Sequence, residues 1–112
     1  MTIKIKDLAS RLRKRIVLEQ PLSQADGAGG LTLSWQEFAT IWAEILPRRA
    51  SENLFAGQLE NRASHKIMLR YLAGIDTKMR IKFGTRYFNI ISILNVEERN
   101  KMLEISVEEV VK

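Results

Sequence analysis

Apolar and polar residues alternate along most of the chain, with the two-residue period of strands that have one buried face. The alternation is strict in some segments and looser in others. The looser segments are rich in β-branched and aromatic residues, which are also typical of strands. The pattern therefore predicts six or seven strands: Ile16–Leu18, Leu31–Gln36, Phe38–Leu46, His65–Tyr71, Met79–Phe83, Tyr87–Leu94 and Leu103–Glu108.

Two of these segments are expected to form one bent strand. Their apolar residues occupy odd positions at Leu33 and Trp35 but an even position at Phe38. Because the side chains of a strand alternate between its two faces, this change indicates a kink near Gln36–Glu37. Pro47 is expected to end the strand, since proline cannot donate a hydrogen bond to the ladder.

Two short helices are also predicted. Ile5, Leu8 and Leu12 fall on one face of a helix near the N-terminus. Ser51 is a favourable N-cap and Glu52 suits a first turn, which indicates an inserted helix of about two to three turns. Short connections between the strands favour antiparallel pairing. Closure of the sheet into a barrel would remove its exposed edge strands. The expected fold is mainly β, a small antiparallel β-barrel of six or seven strands with one short inserted α-helix and a short N-terminal helix.

The segment Pro21–Gly30 has the composition of a long flexible loop. Pro21 is expected to end the first strand, and the run Asp26-Gly27-Ala28-Gly29-Gly30 gives the backbone conformational freedom. Long loops in compact domains are often functional. No Gly-Lys-Ser/Thr follows the glycines and a strand comes next, so the segment is not a phosphate-binding P-loop.

Positive charge is concentrated at the N-terminus. The chain has 112 residues and a net charge of +5. Residues 1–15 hold six basic residues against one acidic residue, and the remainder holds 12 of each. The sequence is thus a single domain, 1–112, whose residues 1–11 form a basic N-terminal arm. Such an arm suits DNA, an anionic membrane or an acidic protein surface, or it serves solubility alone.

Composition and motif content exclude several kinds of site. Without cysteine the chain has no disulfide, thiolate zinc site or cysteine nucleophile. No apolar run is long enough for a transmembrane helix, and no membrane partner is expected. Nothing in the sequence marks a nucleophile and an orienting carboxylate for the single histidine, His65, so a structural or interface role is favoured. No enzymatic activity, cofactor or metal is therefore expected.

Basic and aromatic residues mix between residues 65 and 90, which raises the alternative of a small nucleic-acid-binding β-barrel. Aromatic residues that stack on bases should share the basic face. Tyr71 and Phe83 instead have the opposite parity from the neighbouring basic residues, which places them in the core. Trp35 and Trp42 also fall where the core pattern requires large residues.

Seven motifs occur in order along residues 12–110. They are Leu12–Gln20 (LRKRIVLEQ), Asp26–Gly30 with Trp35, Ala39–Ile45 (ATIWAEI), His65–Tyr71 (HKIMLRY), Gly74-Ile75 with Met79-Arg80, Gly84–Ile90 (GTRYFNI) and Asn95–Asn100 (NVEERN). In this order they resemble the head–tail joining proteins of tailed bacteriophages and prophages, also called head-closure or head–tail adaptor proteins. The basic arm lies outside the resemblance.

The resemblance implies a structural virion protein that forms a ring at the head–tail interface, closes the DNA-filled head and docks the tail. Its implied partners are portal and adaptor ring proteins, tail proteins and further copies of itself, with packaged DNA nearby in the channel. The implied location is the head–tail connector of the virion, after assembly in the host bacterial cytoplasm. A tail-completion protein, which meets the tail side, is the structural alternative.

Two groups of residues follow as candidate functional sites. In some family members the long loop lies at the central channel, which by position assigns a channel loop to Asp26, Gly27, Gly29 and Gly30. Basic residues of the arm and of the strand faces are expected to face a neighbouring subunit, the adaptor or DNA. This second group contains Arg11, Arg13, Lys14, Arg15, Arg70 and Arg86.

Overall fold

A computed structural model of the chain describes residues 8–48 and 63–110. The predicted helix beginning near Ser51 lies outside these residues, as does most of the basic arm at 1–11. Of the predicted N-terminal helix, the described part contains a four-residue helix, α1, at Leu8–Arg11. The described structure is therefore mainly that of the strands.

Six antiparallel strands close into a barrel. They are β1 at Lys14–Ala25, β2 at Leu31–Pro47, β3 at His65–Arg70, β4 at Arg80–Phe83, β5 at Arg86–Asn95 and β6 at Met102–Glu109. A short 3-10 helix at Val96–Glu98 joins the last two strands. The order around the barrel is β1-β2-β3-β6-β5-β4, and β4 pairs with β1 to complete the ring. The predicted mainly β class, antiparallel pairing and closure are confirmed.

The inward-facing residues of each strand fill the barrel with aliphatic side chains and one large ring. Phe88 belongs to this core and is fully buried. The predicted core positions in β3, β4 and β5 are confirmed, with Phe83 half-buried against the same cluster. The buried cluster contains Ile16, Leu18, Ala43, Ile67, Leu69, Met79, Ile81, Phe88, Ile90, Leu103, Ile105 and Val107.

The prediction that Pro21 ends the first strand is wrong. Strand β1 continues through Pro21, which pairs with Trp35, as far as Ala25. Beyond Glu19, β1 pairs only with β2, and proline is tolerated on a strand with one open edge. Of the predicted loop at 21–30, only residues 26–30 connect the two strands.

A β-bulge at Phe38 confirms the kink predicted near Gln36–Glu37. Leu18 pairs with Ala39 whereas the next residue, Glu19, pairs with Glu37, so Phe38 is the extra residue of β2. Such a bulge bends a strand and shifts its alternation by one position. Strand β2 therefore uses odd-numbered residues on the inner face of the barrel after the bulge and on the opposite face before it.

Three aromatic residues predicted in the core lie elsewhere. Tyr71 is 40% exposed, because β3 ends at Arg70 and strand parity does not extend past it. Trp42 is 49% exposed on the outer face, since its neighbour Ala43 takes the inward position after the bulge. Trp35 is partly buried on the outer face as well, where it stacks on a charged side chain.

Candidate interaction surfaces

The paired ends of β1 and β2 project from the barrel as a two-stranded ribbon, which we call the hairpin arm and define as residues 20–36. Strand β4 pairs with β1 only along Val17–Glu19, and β3 pairs with β2 only along Ala43–Pro47. The arm is thus joined to the sheet at its base alone. The described residues accordingly span 53 × 29 × 27 Å, much longer in one direction than a closed barrel requires.

The two faces of the hairpin arm differ in chemistry. Residues paired directly across an antiparallel ladder share a face. One face, which continues the outer surface of the barrel, therefore carries Pro21 with Trp35, Ser23 with Leu33, and Ala25 with Leu31. The leucines of this apolar face are among the most exposed large residues of the described chain, with Leu31 76% and Leu33 60% exposed. The opposite face is mostly polar, with glutamine, serine and threonine side chains around Leu22.

The tip of the hairpin arm is organised around Asp26. Its carboxylate Oδ1 accepts hydrogen bonds from the backbone N–H groups of Ala28 at 2.8 Å and Gly30 at 3.0 Å. These bonds lower the pKa of Asp26, so its carboxylate stays ionised and the tip is negatively charged. Gly27 and Gly29 adopt φ values of +82° and +87°, which favour glycine. The structure thus brings the predicted channel-loop residues Asp26, Gly27, Gly29 and Gly30 together in one ordered turn.

A shallow apolar cleft of about 300 Å³ opens beside the base of the barrel. Its exposed aromatic members are Trp42 and Tyr71, and Arg70 provides a positive charge on its rim. The guanidinium of Arg15 lies 5.2 Å from the centre of the Trp42 ring, adding a second cation nearby. We call this the Trp42–Tyr71 cleft. It is lined by Leu12, Thr40, Ile41, Trp42, Arg70, Tyr71 and Leu72.

The predicted basic interface residues near the N-terminus lie in different environments. Arg11 Nε donates to Glu44 Oε2 at 2.9 Å, so its charge is compensated within the chain. Arg13, by contrast, is exposed, and its Nε donates to the backbone oxygen of Ser10 at 2.9 Å. Lys14 and Arg15 are exposed too, each above an aromatic ring. Residues 13–15 therefore form the exposed positive segment of the described chain.

Arg86 forms an ion pair within the chain while part of its side chain stays exposed. Its Nε and Nη2 donate to the two carboxylate oxygens of Glu109 at 2.9 and 3.1 Å. The guanidinium also lies 5.1 Å from the centre of the Phe88 ring. The hydrogen bond from Arg86 lowers the pKa of Glu109. This pair joins the start of β5 to the end of β6. Arg70, the other arginine predicted on the strands, is exposed.

His65 belongs to the same end of the barrel. Its Nδ1 lies 2.9 Å from Ser64 Oγ, which in turn accepts a hydrogen bond from the Glu109 N–H at 2.8 Å. The ring packs edge-on against Phe88, at 5.3 Å between centroids. Burial lowers the pKa of His65, with Glu109 opposing and Arg86 adding to the effect. These contacts tie three strand ends together and support the structural role predicted for His65.

A stack of aromatic and charged side chains on the outer face was missed by the sequence analysis. The Arg80 guanidinium lies 4.2 Å from the Trp35 ring centre and 4.3 Å from that of Tyr87, and its Nε donates to Glu19 Oε1 at 2.7 Å. Four strand segments meet here, so the stack fixes the base of the hairpin arm to the barrel. The parity of Arg80, opposite to the buried Ile81, was the one signal available in the sequence.

Residues that could hold a metal do not come together in the described ranges. No group of three or more histidine, cysteine, aspartate or glutamate side chains there has the proximity of a metal site. Among residues 8–48 and 63–110, no helix is long and apolar enough to cross a membrane.

Comparison with known proteins identifies the family to which the chain belongs. The family model described as phage head completion protein matches residues 8–110, nearly the whole chain. The chain belongs to the phage head completion protein family. Membership in this family confirms the resemblance seen in the motif order and suggests a non-enzymatic virion protein. No curated protein matches the chain significantly.

Two solved structures have the same fold as this family member. The solution structure of protein SF1141 from Shigella flexneri 2a is 27% identical, with a TM-score of 0.77, and the match covers 91% of this chain and 96% of that one. A chain in the virion of a native gene transfer agent particle is also 27% identical, with a TM-score of 0.62 and coverage of 91% and 98%. Family and fold together support a phage structural protein that associates with other virion components.

Proposed function

We propose that the protein forms a ring at the head–tail interface, where it closes the DNA-filled head and docks the tail. The observation that carries this proposal is the hairpin arm. An apolar ribbon that is joined to the barrel only at its base is unfavourable in an isolated protein. A two-stranded ribbon is at best marginally stable in water unless another surface covers it. Contacts with other subunits would bury it, as a surface used in assembly requires.

The partners in this proposal are portal and adaptor ring proteins on the head side, tail proteins on the other side and further copies of the chain. The glycines of the ordered turn, Gly27, Gly29 and Gly30, would lie toward the channel that holds packaged DNA. In this proposal the exposed segment of residues 13–15 would face an acidic surface of the adaptor or DNA.

Binding to DNA-filled heads tests this function directly. Purified protein is mixed with heads that carry a portal and adaptor ring but lack this chain, and the particles are examined for bound protein and for DNA release on dilution. The proposal predicts saturable binding, a ring visible by electron microscopy and slower loss of DNA. Heads that bind nothing and leak at an unchanged rate refute it. Binding to isolated tails in place of heads would assign the protein to tail completion.

A small nucleic-acid-binding barrel remains the second candidate, because residues 13–15 are basic and exposed. It predicts affinity of the isolated protein for DNA that falls steeply with salt concentration, since neutralised phosphates release counterions. A salt titration by fluorescence anisotropy, starting at about 50 mM, measures this. The absence of binding at low salt rejects the candidate, whereas tight binding that survives substitution of residues 13–15 would assign DNA contact to another surface.

A further inference from the structure

The described chain carries two exposed apolar surfaces of opposite shape. The apolar face of the hairpin arm projects Leu31 and Leu33 into solvent. The Trp42–Tyr71 cleft is concave and lies on the barrel. Its volume of about 300 Å³ is at the small end of ligand pockets, which suits a few side chains better than a large molecule.

We propose that the hairpin arm of one subunit seats its apolar face in the Trp42–Tyr71 cleft of the next subunit. The proposal deepens the ring function above and rests on it. It names the occupant of both surfaces, a second copy of this chain, and the residues that meet: the two leucines of the arm with the exposed rings of the cleft.

Charge complementarity supports this occupant. Asp26 is the only charged residue of the hairpin arm, and it lies at the tip. The cleft has Arg70 on its rim and Arg15 above Trp42, while none of the described residues that line it is acidic. An arm with one terminal negative charge thus matches an apolar cleft bordered by two positive charges. Pairing of these charges would fix the direction in which the arm enters.

The arm cannot fill the cleft of its own chain. Leu33 and Thr40 are seven residues apart on the same extended strand, a separation of roughly 23 Å. The contact is therefore between different surfaces of two copies, which makes it heterologous. Heterologous contacts repeat from subunit to subunit and close into a ring when the rotation between neighbours allows. The proposed contact has the symmetry that a ring needs.

Chemical crosslinking tests the contact cleanly, because the chain has no cysteine. Leu33→Cys and Tyr71→Cys proteins are mixed, incubated with heads that carry an adaptor ring, and treated with a short bis-maleimide. The proposal predicts a crosslinked dimer in the mixture at a yield at least tenfold above that of either variant alone. The double variant should give a ladder of products that ends at the closed ring. Thr32→Cys, on the opposite face of the arm, replaces Leu33→Cys as the matched control.

The outcomes separate this contact from the ring itself. A ring seen by electron microscopy without the Leu33–Tyr71 crosslink, or with equal crosslinking from Thr32, overturns the contact and leaves the ring proposal standing. A crosslink from Tyr71→Cys to another head protein overturns it also, because the cleft then has a different occupant. If neither ring nor binding to heads is observed, both proposals fail.

A charge variant provides an independent test. Arg70→Glu should lower the crosslinking yield at least tenfold, because it places a carboxylate opposite Asp26. Asp26→Asn keeps an oxygen that can accept the bonds from Ala28 and Gly30 while removing the charge. In the Arg70→Glu background it should restore at least half of the yield. An Arg70→Glu protein that crosslinks normally, or a defect that Asp26→Asn does not relieve, contradicts the proposed direction of entry.

Discussion

Gly74 follows the end of β3 and packs against Phe38 at the bulge of β2, where a larger side chain is disfavoured. Its φ of +92° is disfavoured for residues with a side chain, and a Cβ placed on it would lie 3.1 Å from Phe38 Cζ. Gly84 provides a matched control, because its φ is +62° and a Cβ there would have nothing within 4 Å. Alanine at Gly84 measures the cost of the backbone conformation alone, whereas alanine at Gly74 adds the clash with a ring.

The expected magnitudes follow from these geometries. The left-handed conformation costs an alanine about 1–2 kcal/mol, so Gly84→Ala should lower the free energy of unfolding by that amount. Crowding of a packed ring adds about 1–3 kcal/mol, which brings Gly74→Ala to roughly 2–5 kcal/mol. With about 4 °C per kcal/mol for a domain near this size, the melting temperatures should fall by roughly 4–8 °C and 8–20 °C.

Thermal and urea unfolding, followed by circular dichroism and tryptophan fluorescence, measure both variants. The clash is tested by adding Phe38→Leu, which removes the ring atoms nearest to Gly74. If the reasoning is right, Gly74→Ala and Phe38→Leu are non-additive, and the double variant is at least about 1 kcal/mol more stable than the sum of the single effects predicts. Equal losses for Gly74→Ala and Gly84→Ala, with additive behaviour of Phe38→Leu, would refute it.

The remaining predictions concern the barrel. Because burial lowers the pKa of His65, stability should be full above its ordinary value of 6.5 and fall as the pH drops below it. Because Arg86 lowers the pKa of Glu109, a second loss should begin below that carboxyl's ordinary value of 4.5. Arg80→Ala should cost about 1–3 kcal/mol, since it releases two rings and leaves a carboxylate unpaired. Phe88→Ala should cost about 3–5 kcal/mol by leaving a cavity in the core.

Each of these predictions has a control in the same chain. His65→Gln should remove the first pH-dependent loss, and unfolding curves that stay constant from pH 7 to about 5 contradict the sign derived for it. Arg99→Ala, which breaks an exposed pair with Glu97, should change stability by less than about 0.5 kcal/mol. An equal cost for Arg80→Ala would show that its stack adds nothing. Phe83→Ala, at a half-buried ring, should cost less than Phe88→Ala.

Most of the barrel could be predicted from alternation, because each strand has one buried face. Even the kink near Gln36–Glu37 was visible as a change of parity, and the structure assigns it to the bulge at Phe38. The extent of β1 could not be predicted. Pro21 and the glycines have the local composition of a loop, and only pairing with Leu31–Trp35 makes a strand of residues 21–25. Local preference was overridden here by the partner strand.

The candidate surfaces were less predictable than the fold. Asp26 and the glycines beside it lie in one turn because they are contiguous, and their role in the channel stays a prediction. The ion pair of Arg86 could not be predicted, because its partner Glu109 lies 23 positions away and is brought near only by the pairing of β5 with β6. Tyr71 and Trp42 were placed in the core because parity was extended beyond a strand end and across a bulge. A single sequence does not report such long-range register.

The bulge at Phe38 separates two tasks within one strand. On its barrel side the odd-numbered residues of β2 enclose the core, and on its far side odd-numbered residues form the apolar face of the hairpin arm. Adding two residues to each strand of the arm would extend its tip by roughly 7 Å without turning either face over or altering the barrel. Adding one residue to each strand at the base of the arm would turn the two faces over, so that the polar face with its glutamines replaces the apolar face. The length of the hairpin arm can therefore change in evolution by two residues per strand at a time, independently of the stability of the barrel.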